Sequence, residues 1–212
     1  MIGGVTERGH YKSRRSMEHA TIAVVALTPA GRARLIEIAR DALLRAVGVR
    51  NDGADPPAPP EPDLHQPAGC FVSLHEHANH RLRGCVGRLD PNLPLAQAVR
   101  ETAADVLRDP RFVTHPVTSR DVGELEIEVS VLSPPREAPS PLDFELTDGI
   151  YLTFAGRAGF FLPQVARETG WTKEQLLDRL CTEKLGLPAD TWRAPGAKLY
   201  TFNVEVVGPE PV

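Results

Sequence analysis

The chain has 212 residues, 42% of them apolar, and a formal net charge of -4. That length and apolar content suffice for a sizeable buried core, while the acidic balance argues against broad electrostatic attraction to nucleic acid or an anionic membrane. The cysteines, Cys70, Cys85 and Cys181, are odd in number and lack C-x-x-C spacing, which fits a reducing compartment, the cytoplasm, better than a disulfide framework.

Residues 1–19 read as a flexible N-terminal extension, and residues 20–212 as a single domain. The apolar run Ala20 to Leu27 falls far short of the roughly 20 residues needed to cross a bilayer. Arg14-Arg15 precedes it, but Glu18 and His19 interrupt the pattern of a twin-arginine export signal. The first regular element opens at Thr28-Pro29, a cap residue followed by proline. Leu35, Ile38, Ala39, Ala42 and Leu43 then recur at helical spacing, and the helix ends near Gly48. Residues 51–68 are so rich in proline and acid that they read as a loop or tether.

From Cys70 the pattern is that of a β-hairpin whose register follows from pairing apolar residues on one face. With Ala78, Asn79 and His80 as the turn, Val72 and Leu74 share a face with Leu82, Gly84 and Val86. The opposite face carries Ser73, His75, His77, Arg81, Arg83 and Cys85. Ser73 then lies across from Cys85 and His75 across from Arg83, which makes His75 and Cys85 diagonal neighbours within roughly 7–8 Å.

The run Leu82-Arg83-Gly84-Cys85-Val86-Gly87 thus sets one thiol between two glycines and beside an arginine. A glycine on each side lets another backbone or a ligand approach, and the charge of Arg83 favours thiolate over thiol. His75, His77 and His80 form an H-x-H-x-x-H cluster on one strand end. No carboxylate follows it at a ligand spacing, so neither a metal nor any other cofactor is assigned. Arg81, Arg83 and Arg88 make a short basic stripe without interleaved aromatics, the weakest ground for a nucleic-acid role.

A second helix opens at Pro94, with Leu95, Ala98, Val99, Thr102 and Val106 as its stripe. Farther on, Leu125, Ile127, Val129 and Val131 alternate with Glu124, Glu126, Glu128 and Ser130, a strand with one buried and one wet face. Its glutamates are expected in solvent, and Glu128 or Glu126 could act as acid or base if that face lined a cleft. Ile150 to Phe154 and Gly159 to Leu162 form a hairpin turning through Gly156, and Pro163 opens a short helix. Thr172 to Gln175 is a capping box heading a helix closed by Gly186, whose stripe includes Cys181. Tyr200, Phe202, Val204 and Val206 alternate as a last strand before a Pro209-Glu210-Pro211 tail. Helices and hairpins interleave without βαβ regularity, which indicates an α+β fold with a mainly antiparallel sheet flanked by helices.

The succession LRGCVG (82–87), DPRF (109–112), LEIEVSVLSPP (125–135), GFFLPQVA (159–166) and W..EQLL..LC.EKLGLP (171–188) resembles the AMMECR family, whose bacterial and archaeal members are called AmmeMemoRadiSam system protein A. The likeness runs from about Leu27 to Glu210. It implies a larger and a smaller lobe with a cleft between them and an activity that is not established. The system name implies company with a MEMO-type protein and a radical S-adenosylmethionine enzyme in a small modification pathway. Family emphasis falls on LRGC(I/V)G, here Leu82 to Gly87, with Val86 where isoleucine is common and a longer, histidine-rich hairpin tip.

Two functions compete. In one, Cys85 is a nucleophile or covalent carrier and Arg83 stabilises its thiolate. In the other, Leu82, Gly84, Val86 and Gly87, with Ser73 and Glu128, form a rigid binding surface for a partner protein or modified peptide.

Overall fold

The computed structural model describes residues 26–50 and 58–212. The N-terminal extension expected over residues 1–19 and the start of the proline-rich stretch lie outside the described residues. The described chain falls into two compact units, one running up to Pro134 and resuming over Glu205–Val212, the other spanning Pro135–Val204.

In the first unit, helix α1 (Pro29–Ala46) begins where Thr28 caps it by accepting the Gly31 N–H, a bond type worth about 1 kcal/mol. Over its described residues, 58–68, the proline-rich segment is not the tether its composition suggested. Pro62–His65 forms a 3-10 turn with Leu64 fully buried. Asp63 there accepts both the N–H and the hydroxyl of Thr28, at 2.7 and 3.1 Å. A Cβ on Gly31 would stand 2.1 Å from the Asp63 carboxylate, so this close approach needs the glycine.

Strands β1 (Gly69–Glu76) and β2 (Leu82–Arg88) form the hairpin, followed by helix α2 (Leu95–Asp105) and strand β3 (Leu125–Leu132). With β8 (Val204–Pro211) they make a four-stranded sheet in the order β2-β1-β3-β8. Leu35, Ile38 and Leu43 of α1, Ala98 and Val99 of α2, and Cys70, Val72, Leu74, Ile127 and Val129 of the sheet share one buried cluster. Burying these side chains is the main force that holds the helices on this face, at about 1.5–3 kcal/mol for each large one.

The second unit has its own sheet, with β4 (Arg136–Glu137), β5 (Gly149–Phe154), β6 (Arg157–Phe161) and β7 (Lys198–Phe202) in the order β4-β7-β5-β6. Ala155 and Gly156 both have positive φ in the β5–β6 turn, the two-residue geometry that matches strand twist. Helices α3 (Pro163–Thr169) and α4 (Lys173–Arg179) follow, α4 with the capping box formed by Thr172 and Gln175. A wider helical turn, Leu180–Leu185, closes at Gly186 with φ 65°. Leu176, Leu177, Leu180, Cys181 and Trp192 pack with Ile150, Leu152 and Leu199 into a second core.

The α+β architecture is therefore as read from the pattern, with two antiparallel sheets rather than one. The expected last strand is two strands. The chain breaks at Asn203 between β7 and β8, and the phase of burial slips, so Val207 is buried while Val206 is exposed. The supposed tail, Pro209 to Pro211, lies within β8. Glu126, expected in solvent, is only 7% exposed, because β3 lies inside its sheet between β1 and β8.

Candidate functional site

The register puts the LRGC segment where the sequence pairing expected it in part. Val72 faces Val86, Ser73 faces Cys85 and Leu74 faces Gly84. A bulge follows Leu74, so His75 pairs with Leu82 and Arg83 is the extra residue. The expected opposition of His75 to Arg83 therefore fails, although Ser73 still faces Cys85. The His75 ring instead meets the His80 carbonyl through Nδ1 at 3.3 Å.

On its other side Ser73 pairs with Glu128. Cys85, Ser73 and Glu128 consequently form one row across three strands, on the face that alternates away from Val72 and Leu74. Cys85 is half-buried and in no disulfide, and Ser73 is 9% exposed.

The edge position of β2 decides how Cys85 is held. Its N–H points away from β1 and donates to Asp109 Oδ2 at 2.9 Å. Its carbonyl accepts from Arg111 Nη2 at 3.0 Å. Arg111 also donates to Asp109 through its own N–H and Nε, each 3.0 Å from Oδ1. Asp109 is 3% exposed and caps the short 3-10 turn Pro110–Phe112. Burial pushes its carboxyl up, but the Arg111 guanidinium and the N–H groups of Cys85 and Arg111 outweigh that and hold it below the ordinary aspartate range.

Sequence reading missed Asp109 and Arg111 as site residues. The available signal was Asp-Pro, a turn initiator whose carboxylate is aimed at nearby backbone N–H groups.

The remaining motif residues serve the fold more than a ligand. A Cβ on Gly84 would lie 3.0 Å from the Val106 carbonyl oxygen and Cγ2, and one on Gly87 would lie 2.2 Å from the Phe71 ring. Both glycines thus admit the protein's own backbone or ring, the first of the two approaches expected of them. Leu82 and Val86 are half-buried.

Arg83 turns its guanidinium to Glu76 Oε1 at 3.2 Å and to the His115 carbonyl at 3.4 Å. Arg81, Asn79 and Arg83 together hold the Glu76 carboxyl down to about 2. Cys70 is a different kind of thiol, buried against the Thr102 hydroxyl and pushed up to about 11 by desolvation.

A family model for AMMECR1 matches residues 36–207. The chain belongs to the AMMECR1 family. Among AMMECR1 relatives, a Methanocaldococcus jannaschii protein, MJ0810, is 37% identical over 151 residues, which are 68% of this chain and 74% of that one. A Thermococcus gammatolerans protein is 36% identical over 183 residues, 81% of this chain and 87% of its own. The crystal structure of PH0010 from Pyrococcus horikoshii superposes with a TM-score of 0.74 at 30% identity, covering 89% of this chain and all of that one. The AMMECR1 assignment fixes family and fold, and the activity of the family is not established. No helix among the described residues is long and apolar enough to cross a membrane.

Proposed function

We propose that this AMMECR1 protein is a cytoplasmic recognition component of a small modification pathway, acting with a MEMO-type protein and a radical S-adenosylmethionine enzyme. Its binding surface is the LRGC strand with the Ser73, Cys85 and Glu128 row, and the occupant is a partner protein or a modified peptide. The observation that carries this reading is the clamp on Cys85. Asp109 and Arg111 fix both peptide groups of the cysteine, which gives a rigid strand, while the guanidinium groups of Arg83 and Arg111 are each engaged by a carboxylate, Glu76 and Asp109. A catalytic thiolate draws on positive charge beside the sulfur, and here both guanidinium groups are held in ion pairs.

One observation favours a second reading, in which Cys85 is a nucleophile or covalent carrier. The half-buried thiol stands directly across from the Ser73 hydroxyl on the same face.

Binding of the full chain to each candidate partner, with pathway output from the three components together, separates the two. Under the recognition reading Cys85→Ser keeps affinity and output, whereas Cys85→Arg, still folded by circular dichroism, loses binding. Retained binding with abolished output in Cys85→Ser would overturn recognition in favour of covalent chemistry.

A further inference from the structure

The row of Cys85, Ser73 and Glu128 holds one carboxylate that the described chain leaves unanswered. Glu128 is half-buried in the middle of β3, and its carboxylate makes no hydrogen bond or ion pair among the described residues. The carboxylates around it differ. Glu126, two residues back on the same face, meets His77 and His80. Glu76 at the end of β1 is held by Arg81 and Arg83, and Asp109 by Arg111. These groups take up the cations beside the row, and among the described residues none is paired with Glu128.

Ser73 supplies a second, independent sign. It is 9% exposed, and its hydroxyl also makes no hydrogen bond among the described residues. A hydroxyl that deep ordinarily has a partner. Val72 and Leu74 on either side belong to the helix-covered core, so alternation turns Ser73 to the face of Glu128. The two are directly paired across β1 and β3, which sets their Cβ atoms about 4.5–5.5 Å apart. One small donor group therefore meets the hydroxyl oxygen and the carboxylate together.

The chemistry of the pair selects its ligand. A carboxylate and a hydroxyl oxygen both accept, so the complement is a cationic donor, and Glu126 adds a second carboxylate about 7 Å along the strand. An ammonium carries three donors on one atom, which the carboxylate, the hydroxyl and one water satisfy. A guanidinium spreads five donors in a plane, and here several of them would lack acceptors, a cost where water is partly excluded. The described lysines, Lys173, Lys184 and Lys198, lie against the Leu142 carbonyl, the Phe161 ring and Glu137, so the ammonium comes from another molecule.

We infer that Ser73 and Glu128 form a subsite for a lysine side chain of the bound polypeptide, with its ammonium on the carboxylate and the hydroxyl. This subsite rests on the recognition reading of the same row and names what the polypeptide presents there. It also gives the loss of binding in Cys85→Arg a physical reason. The introduced guanidinium would reach across Ser73 toward Glu128 and take the place of the lysine.

The test titrates the full chain with the peptide acetyl-Gly-Lys-Gly-amide and follows the backbone amide resonances. Saturable shifts are expected at Ser73, Cys85 and Glu128. Acetylation of the lysine Nε abolishes them, and the arginine peptide binds more weakly. Glu128→Gln, still folded by circular dichroism, weakens the lysine peptide about tenfold, the scale of one hydrogen bond to a charged group. Glu145→Gln, which removes an exposed carboxylate of the other unit, leaves binding unchanged. Absence of saturable shifts at the row in the wild type overturns the proposal. So does equal binding of the acetylated or arginine peptide, or equal binding by Glu128→Gln. The recognition reading is judged separately, on the partner proteins. A partner that binds wild type and Glu128→Gln alike but fails on Cys85→Arg leaves recognition standing and overturns the lysine subsite.

Discussion

The N–H of Cys85 ends on the carboxylate of Asp109, 2.9 Å away and 24 residues along the chain. That one bond makes the edge of the first sheet depend on a turn that pairs with no strand. Because Arg111 binds both Asp109 and the Cys85 carbonyl, three residues behave as one unit whose parts cannot be removed separately.

Removing Arg111 is therefore costly. Arg111→Ala leaves Asp109, 3% exposed, as a buried charge without its cation, and such losses run to about 3 kcal/mol. Arg111→Lys keeps the charge but not the fork that reaches carboxylate and carbonyl together, so its loss is smaller. Urea midpoints of the two variants rank the effect. Equal and negligible shifts would show that the clamp does not bear on stability.

Acid should act through the same carboxylate. Burial raises the Asp109 value, and its hydrogen bonds and the Arg111 charge lower it by more, so the folded value lies below the unfolded one. A group of that kind stabilises above its unfolded value, about pH 3.9, and the contribution disappears as pH falls through the folded value. Unfolding free energy should decline below about pH 4, where unfolded aspartate begins to take up protons. In Asp109→Asn that decline is shallower and the protein is less stable at neutral pH. An unchanged acid slope in the variant would contradict the assignment.

Gly87→Ala tests the ring above it. The new methyl would stand 2.2 Å from Phe71 Cδ1 and 2.5 Å from the Cys70 carbonyl oxygen, so the ring or strand has to shift, at about 3 kcal/mol, the upper end for overpacking. In a Phe71→Ala background the same substitution should cost less, and the cycle gives the coupling directly. Additive losses would mean that the backbone contact, not the ring, excludes the methyl.

The cysteines should separate by reactivity. Cys70 and Cys181 have no measurable exposure, and burial raises both thiols, Cys70 to about 11. Iodoacetamide at pH 8 should modify Cys85 alone in the native protein and all three thiols after unfolding, as mass spectrometry reads site by site. Native labelling of Cys70 would show that the α2 face opens.

Much of this was legible from periodicity and caps. The Thr28 cap, the Ser73–Cys85 opposition, the capping box at Thr172 and the turn through Gly156 rest on local chemistry, and each stands as read. What failed was set by distant partners. Residues 62–65 look like solvated linker until Asp63 is seen to bind Thr28, 35 positions earlier. Arg83 looks like the cation of Cys85 because the two are close along the strand, but the bulge after Leu74 gives it to Glu76 instead. Glu126 alternates like a wet-face residue, and only the sheet order reveals that its strand is interior. For the candidate site, then, sequence set Ser73 across from Cys85 but placed neither Glu128 beside Ser73 nor the Asp109–Arg111 pair that holds the strand.

The open flank of β2 offers one more consequence. An unpaired strand edge is a template on which another chain can add a strand. At Cys85 both of the groups such an intruder would need are already taken by side chains. The DPRF turn therefore works as a plug as well as a brace, and a protein that lost Arg111 would be exposed to self-association along β2 even at temperatures where it remained folded.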